Sequence, residues 1–68
     1  MKIEVSDWMN GNEEIEIDVE TISGKDLLER LGISVFEATI TKNSVIVRES
    51  EILTSSDNVK ILKMIHGG

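Results

Sequence analysis

Few residues in this chain of 68 could perform covalent chemistry. It has one histidine, His66, and neither cysteine nor tyrosine, which excludes a Cys–His pair, a thiolate metal site and a cysteine nucleophile. Thirteen acidic residues are spread along the sequence, where a solvated strand face is the ordinary explanation, and no glycine-rich phosphate loop is present. We therefore predict that the chain is not an enzyme and has no catalytic residue, metal site or bound cofactor.

The final residues, Ile65-His66-Gly67-Gly68, are the one stretch that indicates chemistry. Glycine has no Cβ and accepts almost any φ and ψ, so two in succession can thread a narrow channel. An extended chain from Met64 to Gly68 reaches up to about 17 Å, at ~3.4 Å per residue. The pattern therefore favours an extended, unhindered chain end; a frayed terminus is the alternative.

Charge and composition limit the partners. Seven basic and thirteen acidic residues give a net charge of −6, and no cluster of Lys and Arg exceeds two residues. This balance disfavours direct binding to nucleic acid or to anionic membranes and favours basic protein surfaces. The N-terminus lacks the apolar stretch of a signal peptide, and no apolar run reaches 18 residues, so we expect a cytoplasmic protein. We also expect a monomer, because a mobile terminus has to remain free.

The first third of the sequence predicts a β-hairpin. Ile3 and Val5 alternate with polar residues in a strand over residues 2–9, and Asn10-Gly11 is a dipeptide typical of a tight turn. In a second strand, over residues 13–20, apolar residues alternate with acids. The apolar positions of this strand are Ile15, Ile17 and Val19. A shift of one residue would bury the acids instead, so the register is firmly set.

A helix is predicted next. Ser23 can act as its N-cap, and the helix runs to Leu31 with Leu27 and Leu28 on the same apolar stripe. Gly32 then supplies the left-handed residue that commonly ends a helix. A helix of about three turns is marginal alone, so we expect it to pack on a sheet.

The remainder of the chain predicts three more strands. They span residues 38–41, 45–47 and 59–65, and a connector without a strand covers residues 48–56. In the last strand Val59 and Ile61 are expected to face the helix, whereas Lys60, Leu62 and Met64 are expected to point away from it. The order of elements predicts an α+β fold, with a mixed four- to five-stranded sheet and one helix packed on one face. Residues 1–65 would form this domain and residues 66–68 a flexible tail.

Nearly the whole chain resembles the ubiquitin-like sulfur carriers and protein modifiers. This family includes the thiamin thiazole carrier, the small subunit of molybdopterin synthase and the small archaeal modifiers. The most specific stretch is similar to the last strand of the archaeal modifiers: Asp57-Asn58-Val59-Lys60-Ile61-Leu62-Lys63-Met64-Ile65-His66-Gly67-Gly68. Arg48 stands where the family commonly has proline, Ser55-Ser56-Asp57 replaces the usual Asp-Gly-Asp, and Asn43-Ser44 replaces Asn-Gly. The resemblance implies a β-grasp, ubiquitin-like fold with the last strand in the middle of the sheet beside the first.

The resemblance also implies a function. An E1-like adenylyltransferase, using ATP and Mg²⁺ in its own site, would form an acyl-adenylate at Gly68. Sulfur attack would then give a thiocarboxylate that serves thiazole, molybdopterin or tRNA thiolation, whereas attack by a target lysine would give an isopeptide conjugate. Gly67, His66 and Ile65 would thread the tail, and Lys60, Leu62 and Met64 would form a partner-docking face. The sequence leaves open both the sulfur acceptor and the alternative of a non-catalytic β-grasp protein-interaction module.

Overall fold

The computed structural model describes residues 1–7 and 11–64. The predicted strand end and turn at Trp8, Met9 and Asn10, and the predicted tail with its domain boundary at residues 65–66, lie outside the described residues. The described part contains these elements in chain order: β1 (Lys2–Asp7), β2 (Gly11–Glu16), β3 (Thr21–Ser23), α1 (Gly24–Leu31), β4 (Ala38–Lys42), β5 (Val45–Val47), β6 (Ile52–Thr54) and β7 (Val59–Lys63). None of its helices has the length and apolarity needed to cross a membrane.

Five strands form one mixed sheet in the order β2-β1-β7-β4-β5. The central strands β1 and β7 are parallel, and the other neighbours are antiparallel. With α1 packed on one face, this arrangement is the predicted α+β fold of β-grasp-like architecture. The last strand lies in the middle of the sheet beside the first, as the resemblance implied.

Alternating apolar residues build the core between the sheet and α1. In the β1–β7 register, Ile3 lies opposite Val59 and Val5 opposite Ile61, so four β-branched side chains share the helix-facing side. Helix α1 buries Leu27 and Leu28 against them. Among the described residues, the buried apolar side chains are Ile3, Val5, Leu27, Leu28, Ile40, Leu53, Val59 and Ile61.

Both predicted ends of the helix are confirmed. The Ser23 hydroxyl accepts a hydrogen bond from the Asp26 backbone N–H at 3.1 Å, which satisfies one of the unpaired donors of the first turn. Gly32 adopts a left-handed conformation with φ of 71°. The Ile33 N–H then donates to the Leu28 carbonyl at 2.9 Å, which closes the C-terminal turn.

The predicted hairpin forms, but both ends of its second strand differ from the prediction. Gly11, which was predicted to lie in the turn, is already the first residue of β2 and pairs with Asp7. The strand ends at Glu16 instead of Glu20, because Ile17 makes the last pairing, with Met1, and the chain then turns toward β6. The predicted alternation of half-buried apolar residues and exposed acids persists through residue 20.

The predicted connector over residues 48–56 is wrong, because it contains β6. This short strand pairs with β3 in a separate two-stranded sheet, where Ile22 lies opposite Leu53, and Leu53 is fully buried. Two further backbone bonds tie the segment to the start of α1: Gly24 N–H to Glu51 carbonyl at 2.9 Å and Lys25 N–H to Glu49 carbonyl at 2.7 Å. These long-range pairings explain why neither short strand showed a regular period in the sequence.

Candidate functional site

The face of the sheet opposite α1, called here the outer face, contains the predicted docking residues. Along β7, Val59 and Ile61 are 1% and 0% exposed against the helix, whereas Leu62 is 39% exposed and the following Met64 51% exposed. The predicted orientation of these residues is confirmed. It follows from the two-residue period of a strand, which sends neighbouring side chains to opposite faces.

Leu62 is flanked by polar residues of the neighbouring strands. Its Cα partner on β1 is Ser6, and its partner on β4 is Thr39. The adjacent row places Lys60 beside Thr41 of β4, which in turn lies opposite Ile46 of β5. The outer face therefore carries Leu62 and Ile46 on either side of a strand of threonines.

Met64 is held against the start of β4. Its backbone N–H donates to the Glu37 carbonyl at 2.7 Å, and the Thr39 hydroxyl lies 3.8 Å from its sulfur. Although β7 ends at Lys63, these contacts extend the pairing by one residue. Met64, the last described residue, is consequently held in the sheet, with its side chain on the same face as that of Leu62.

Charge divides the outer face into two halves. On the β1–β2 half, Glu4 and Glu14 lie opposite each other, and each has a lysine partner: Lys60 Nζ lies 3.8 Å from Glu4 Oε2, and Lys2 Nζ lies 3.9 Å from Glu14 Oε1. Exposed pairs of this length add little to stability, so they leave the carboxylates accessible to other cations. The β7–β4–β5 half carries the exposed apolar residues. A partner that matches this face would be apolar on one side and basic on the other.

Two described side chains with shifted pKa values, Lys42 and Asp57, lie elsewhere, at the end of the sheet where β4 turns into β5. A hydrogen bond to Glu51, at 3.0 Å from Nζ, raises the pKa of Lys42, and the nearby Asp57 carboxylate acts in the same direction. The pKa of Asp57 is lowered, first by the Thr54 N–H at 2.9 Å and then by the Asn43 amide at 3.0 Å. These bonds join the β4–β5 turn to the loop before β7, which is a structural role.

The structure brings Lys60, Leu62 and Met64 together on one face, as predicted. The other predicted site residues, namely Ile65, His66, Gly67 and Gly68, lie outside the described residues. Ile46 was missed, although it is 72% exposed on the same face. The sequence Val45-Ile46-Val47 indicates that Ile46 points away from its two neighbours, but it does not indicate that this strand lies at the edge of the sheet.

Metal binding finds no support in the described part of the chain, where no group of three or more His, Cys, Asp or Glu side chains could hold an ion. Comparison with models of known protein families gave no match, and comparison with curated proteins gave none.

Proposed function

We propose that this protein is a ubiquitin-like carrier whose Gly68 carboxyl is activated by an E1-like adenylyltransferase. The activated carboxyl then either becomes a thiocarboxylate that donates sulfur to a cofactor or a tRNA, or is conjugated to lysines of other proteins. The chain supplies no catalytic group of its own. It contributes a rigid domain, a docking face and the carboxyl that reacts.

One observation carries the proposal: two glycines follow the central strand of a β-grasp-like sheet within a few residues. Strand β7 lies between β1 and β4, so its end is fixed by hydrogen bonds on both sides. Met64 is tied to Glu37, and from there to Gly68 an extended chain reaches up to about 17 Å. That reach is enough for a carboxyl at Gly68 to enter a nucleotide cleft while the domain stays outside it.

The chemistry divides between the two proteins. A Gly68 carboxylate oxygen attacks the α-phosphorus of ATP and displaces pyrophosphate, which gives an acyl-adenylate. A sulfide-level nucleophile or a lysine amine then attacks the acyl carbon, and AMP leaves. Since the glycines present no Cβ, the acyl carbon is sterically open to either nucleophile. ATP, Mg²⁺ and the groups that stabilise pyrophosphate belong to the partner enzyme.

The outer face supplies recognition in this proposal. Leu62 and Met64 are exposed and lie six and four residues before Gly68 in the sequence, so an enzyme that covers them would have the tail within reach. Glu4 and Glu14, on the other half of the face, match a basic rim on that enzyme. Apolar contacts at the centre of an interface usually supply the affinity, and the charges around them usually raise the rate of encounter.

The test is to incubate the protein with ATP, Mg²⁺, a sulfur donor and the E1-like adenylyltransferase of the same organism, and to record the intact mass. We expect an AMP adduct or an oxygen-to-sulfur exchange at Gly68. An unchanged mass, with an enzyme that is active on another carrier, would contradict the proposal. Deletion of Gly68 should abolish the change without affecting the fold.

A matched pair of substitutions tests the docking face. Leu62→Ser removes an exposed side chain from the outer face, and we expect the rate of adenylate formation at limiting enzyme to fall about tenfold, as expected when an interface anchor worth ~1.4 kcal/mol is lost. Ile52→Ser is the control, because Ile52 is 53% exposed but lies on β6 in the second sheet. Equal effects of both variants would remove the outer face from the proposal.

The rival function is a non-catalytic interaction module that binds through the same face. The exposed residues Ile46, Leu62 and Met64 favour it independently of the tail. Deletion of Gly67 and Gly68 separates the two functions. A module keeps its partner binding and its cellular role after the deletion, whereas a carrier loses the role.

A further inference from the structure

A groove separates α1 from the β4–β5 edge of the sheet. It encloses about 400 Å³. Its apolar lining comes from both layers of the fold: Leu28, Val35, Ala38, Ile40, Ile46 and Val47. Thr39, Arg48 and Glu49 complete it. The groove exists because β5 is only three residues long and stops before it has covered the whole of β4.

The exposed part of β4 presents backbone hydrogen-bonding groups to this groove. Glu37 and Asn43 bond toward the β7 side of β4, since the Glu37 carbonyl accepts from Met64 and the Asn43 N–H donates to Asn58. Alternation then directs the backbone groups of residues 38, 40 and 42 toward β5. The β4–β5 ladder ends at the pair Ile40–Val47, two residues short of Ala38.

The residue that would continue the ladder is used elsewhere. Glu49 would lie opposite Ala38 if β5 were longer, but its carbonyl accepts from the Lys25 N–H at 2.7 Å at the start of α1. The chain therefore turns away from β4 toward the helix. The N–H and C=O of Ala38 are left facing the groove, in the geometry that receives one residue of an antiparallel strand.

Charge selects the kind of strand that fits. Glu49 lines the groove, and Glu37, exposed, directly precedes the lining residue Ala38, while Arg48 is the one basic residue among the described lining residues. The whole chain carries −6. A second copy would bring the same charge and the same two glutamates, which disfavours self-association through this groove. A segment flanked by basic residues is complementary to these two glutamates.

We propose that this groove binds a short, extended, apolar segment of a partner protein flanked by lysine or arginine, which adds to the edge of β4 beyond the end of β5. The central residue of the segment exchanges two hydrogen bonds with Ala38 and points its side chain toward Leu28 and Val35. Its two neighbours point to the opposite face, one toward Glu37 and the other toward Thr39. This proposal does not depend on the function proposed for the Gly68 carboxyl.

The probe is a synthetic peptide, acetyl-Lys-Lys-Val-Ile-Val-Lys-Lys-amide, titrated into the full-length ¹⁵N-labelled protein and followed by amide chemical shifts. We expect saturable shifts at millimolar peptide, confined to the amides around Ala38, Val47 and Glu49. The same peptide with an N-methyl group on its isoleucine cannot donate to the Ala38 carbonyl and should bind about tenfold more weakly. A peptide with glutamates in place of its lysines should give no saturable shift.

Charge variants of the protein test both the charge that the site prefers and its location. Glu49→Lys should weaken binding about fivefold, whereas Arg48→Glu should strengthen it by a similar factor. The control is Glu16→Lys, which makes the same change in net charge at an exposed position on the opposite edge strand and should leave the affinity within about twofold.

Four results would overturn the proposal. They are shifts centred on Leu62 of the outer face, equal weakening by Glu49→Lys and Glu16→Lys, undiminished binding of the N-methylated peptide, and the absence of any saturable shift. Concentration-dependent shifts of the groove amides without peptide would show that a second copy is the occupant, and would overturn it as well.

Discussion

The two faces of the central sheet differ in how far they enclose the apolar residues of β7. On β7, Val59 and Ile61 are almost completely enclosed under α1, while Leu62 and Met64 on the other face are two-fifths to one-half exposed. All four are apolar, so composition does not distinguish them. The difference comes from what covers each face: α1 lies on one side, and no described helix or strand lies over the other.

In the proposed function, stability and recognition would depend on alternate residues of β7. The covered face determines whether the chain folds, because buried side chains provide most of the favourable free energy in a small domain. In the proposed function, the exposed apolar residues of the outer face would then contact a partner. Substitutions on the covered face should therefore lower the free energy of unfolding, whereas substitutions on the outer face should impair recognition by a partner. Separate measurements of stability and of recognition test this difference.

The largest effect is expected from adjacent residues of β7. Ile61→Ala removes a fully buried side chain and should lower the free energy of unfolding by about 3 kcal/mol. Leu62→Ala, one residue on, should cost less than about 1 kcal/mol because its side chain is already partly in water. Urea unfolding followed by circular dichroism measures both. Equal losses would contradict the division between the two faces.

A second effect on the covered face comes from the contact between α1 and β4. A Cβ added at Gly24 would lie 2.6 Å from Ile40 Cδ1 and 3.1 Å from the Glu49 carbonyl oxygen. Gly24→Ala should therefore destabilise the protein by about 2 kcal/mol. In an Ile40→Val background, which removes the Cδ1 methyl, the same substitution should cost clearly less. Additive costs in the double variant would show that the Ile40 contact is not the cause.

The turn between β4 and β5 belongs to neither face and should give a smaller effect of opposite sign. Asn43 and Ser44 have φ values of 53° and 70°, and a left-handed conformation is unfavourable for serine. Ser44→Gly should raise the free energy of unfolding by about 0.5–1 kcal/mol. Ser50→Gly, at an exposed position without positive φ, should give no gain and serves as the control in the same urea assay.

The smallest effect is expected on the loss of stability at acidic pH. The pKa of Asp57 is lowered in the folded state, so its contribution is complete above its ordinary value of 3.8 and is lost as the pH falls below that value. Asp57→Asn should therefore lose less stability than the parent protein between pH 6 and about pH 3. Asp18→Asn, at an exposed aspartate after β2, is the control. Parallel pH profiles for Asp57→Asn and the parent, measured by thermal unfolding, would contradict this assignment.

The features that could be predicted from the sequence are those set by neighbours in the chain. Alternation gave the inward and outward residues of β7, and Ser23 and Gly32 gave the ends of α1. The pairing of β3 with β6 could not be predicted, because three residues such as Ile52-Leu53-Thr54 carry no period and are stabilised by distant partners. The groove beside Ala38 also could not, since it depends on where β5 stops relative to β4.

The same distinction applies to the candidate site. Leu62 and Met64 follow from strand period alone, whereas the exposure of Ile46 requires the knowledge that its strand lies at the edge of the sheet. The network around Lys42 and Asp57 joins residues from three turns and connections of the fold. Such contacts depend on tertiary structure, and no spacing in the sequence indicates them.

The central claim is that the domain presents a Gly68 carboxyl for activation. Mass spectrometry of the native protein from cells tests it most directly, by the C-terminal peptide and by a search for Gly-Gly remnants on lysines of other proteins. We expect a thiocarboxylate in place of the free acid, or branched remnants that derive from this chain. A free carboxylate alone, in cells where the E1-like enzyme is present and active, would contradict the account.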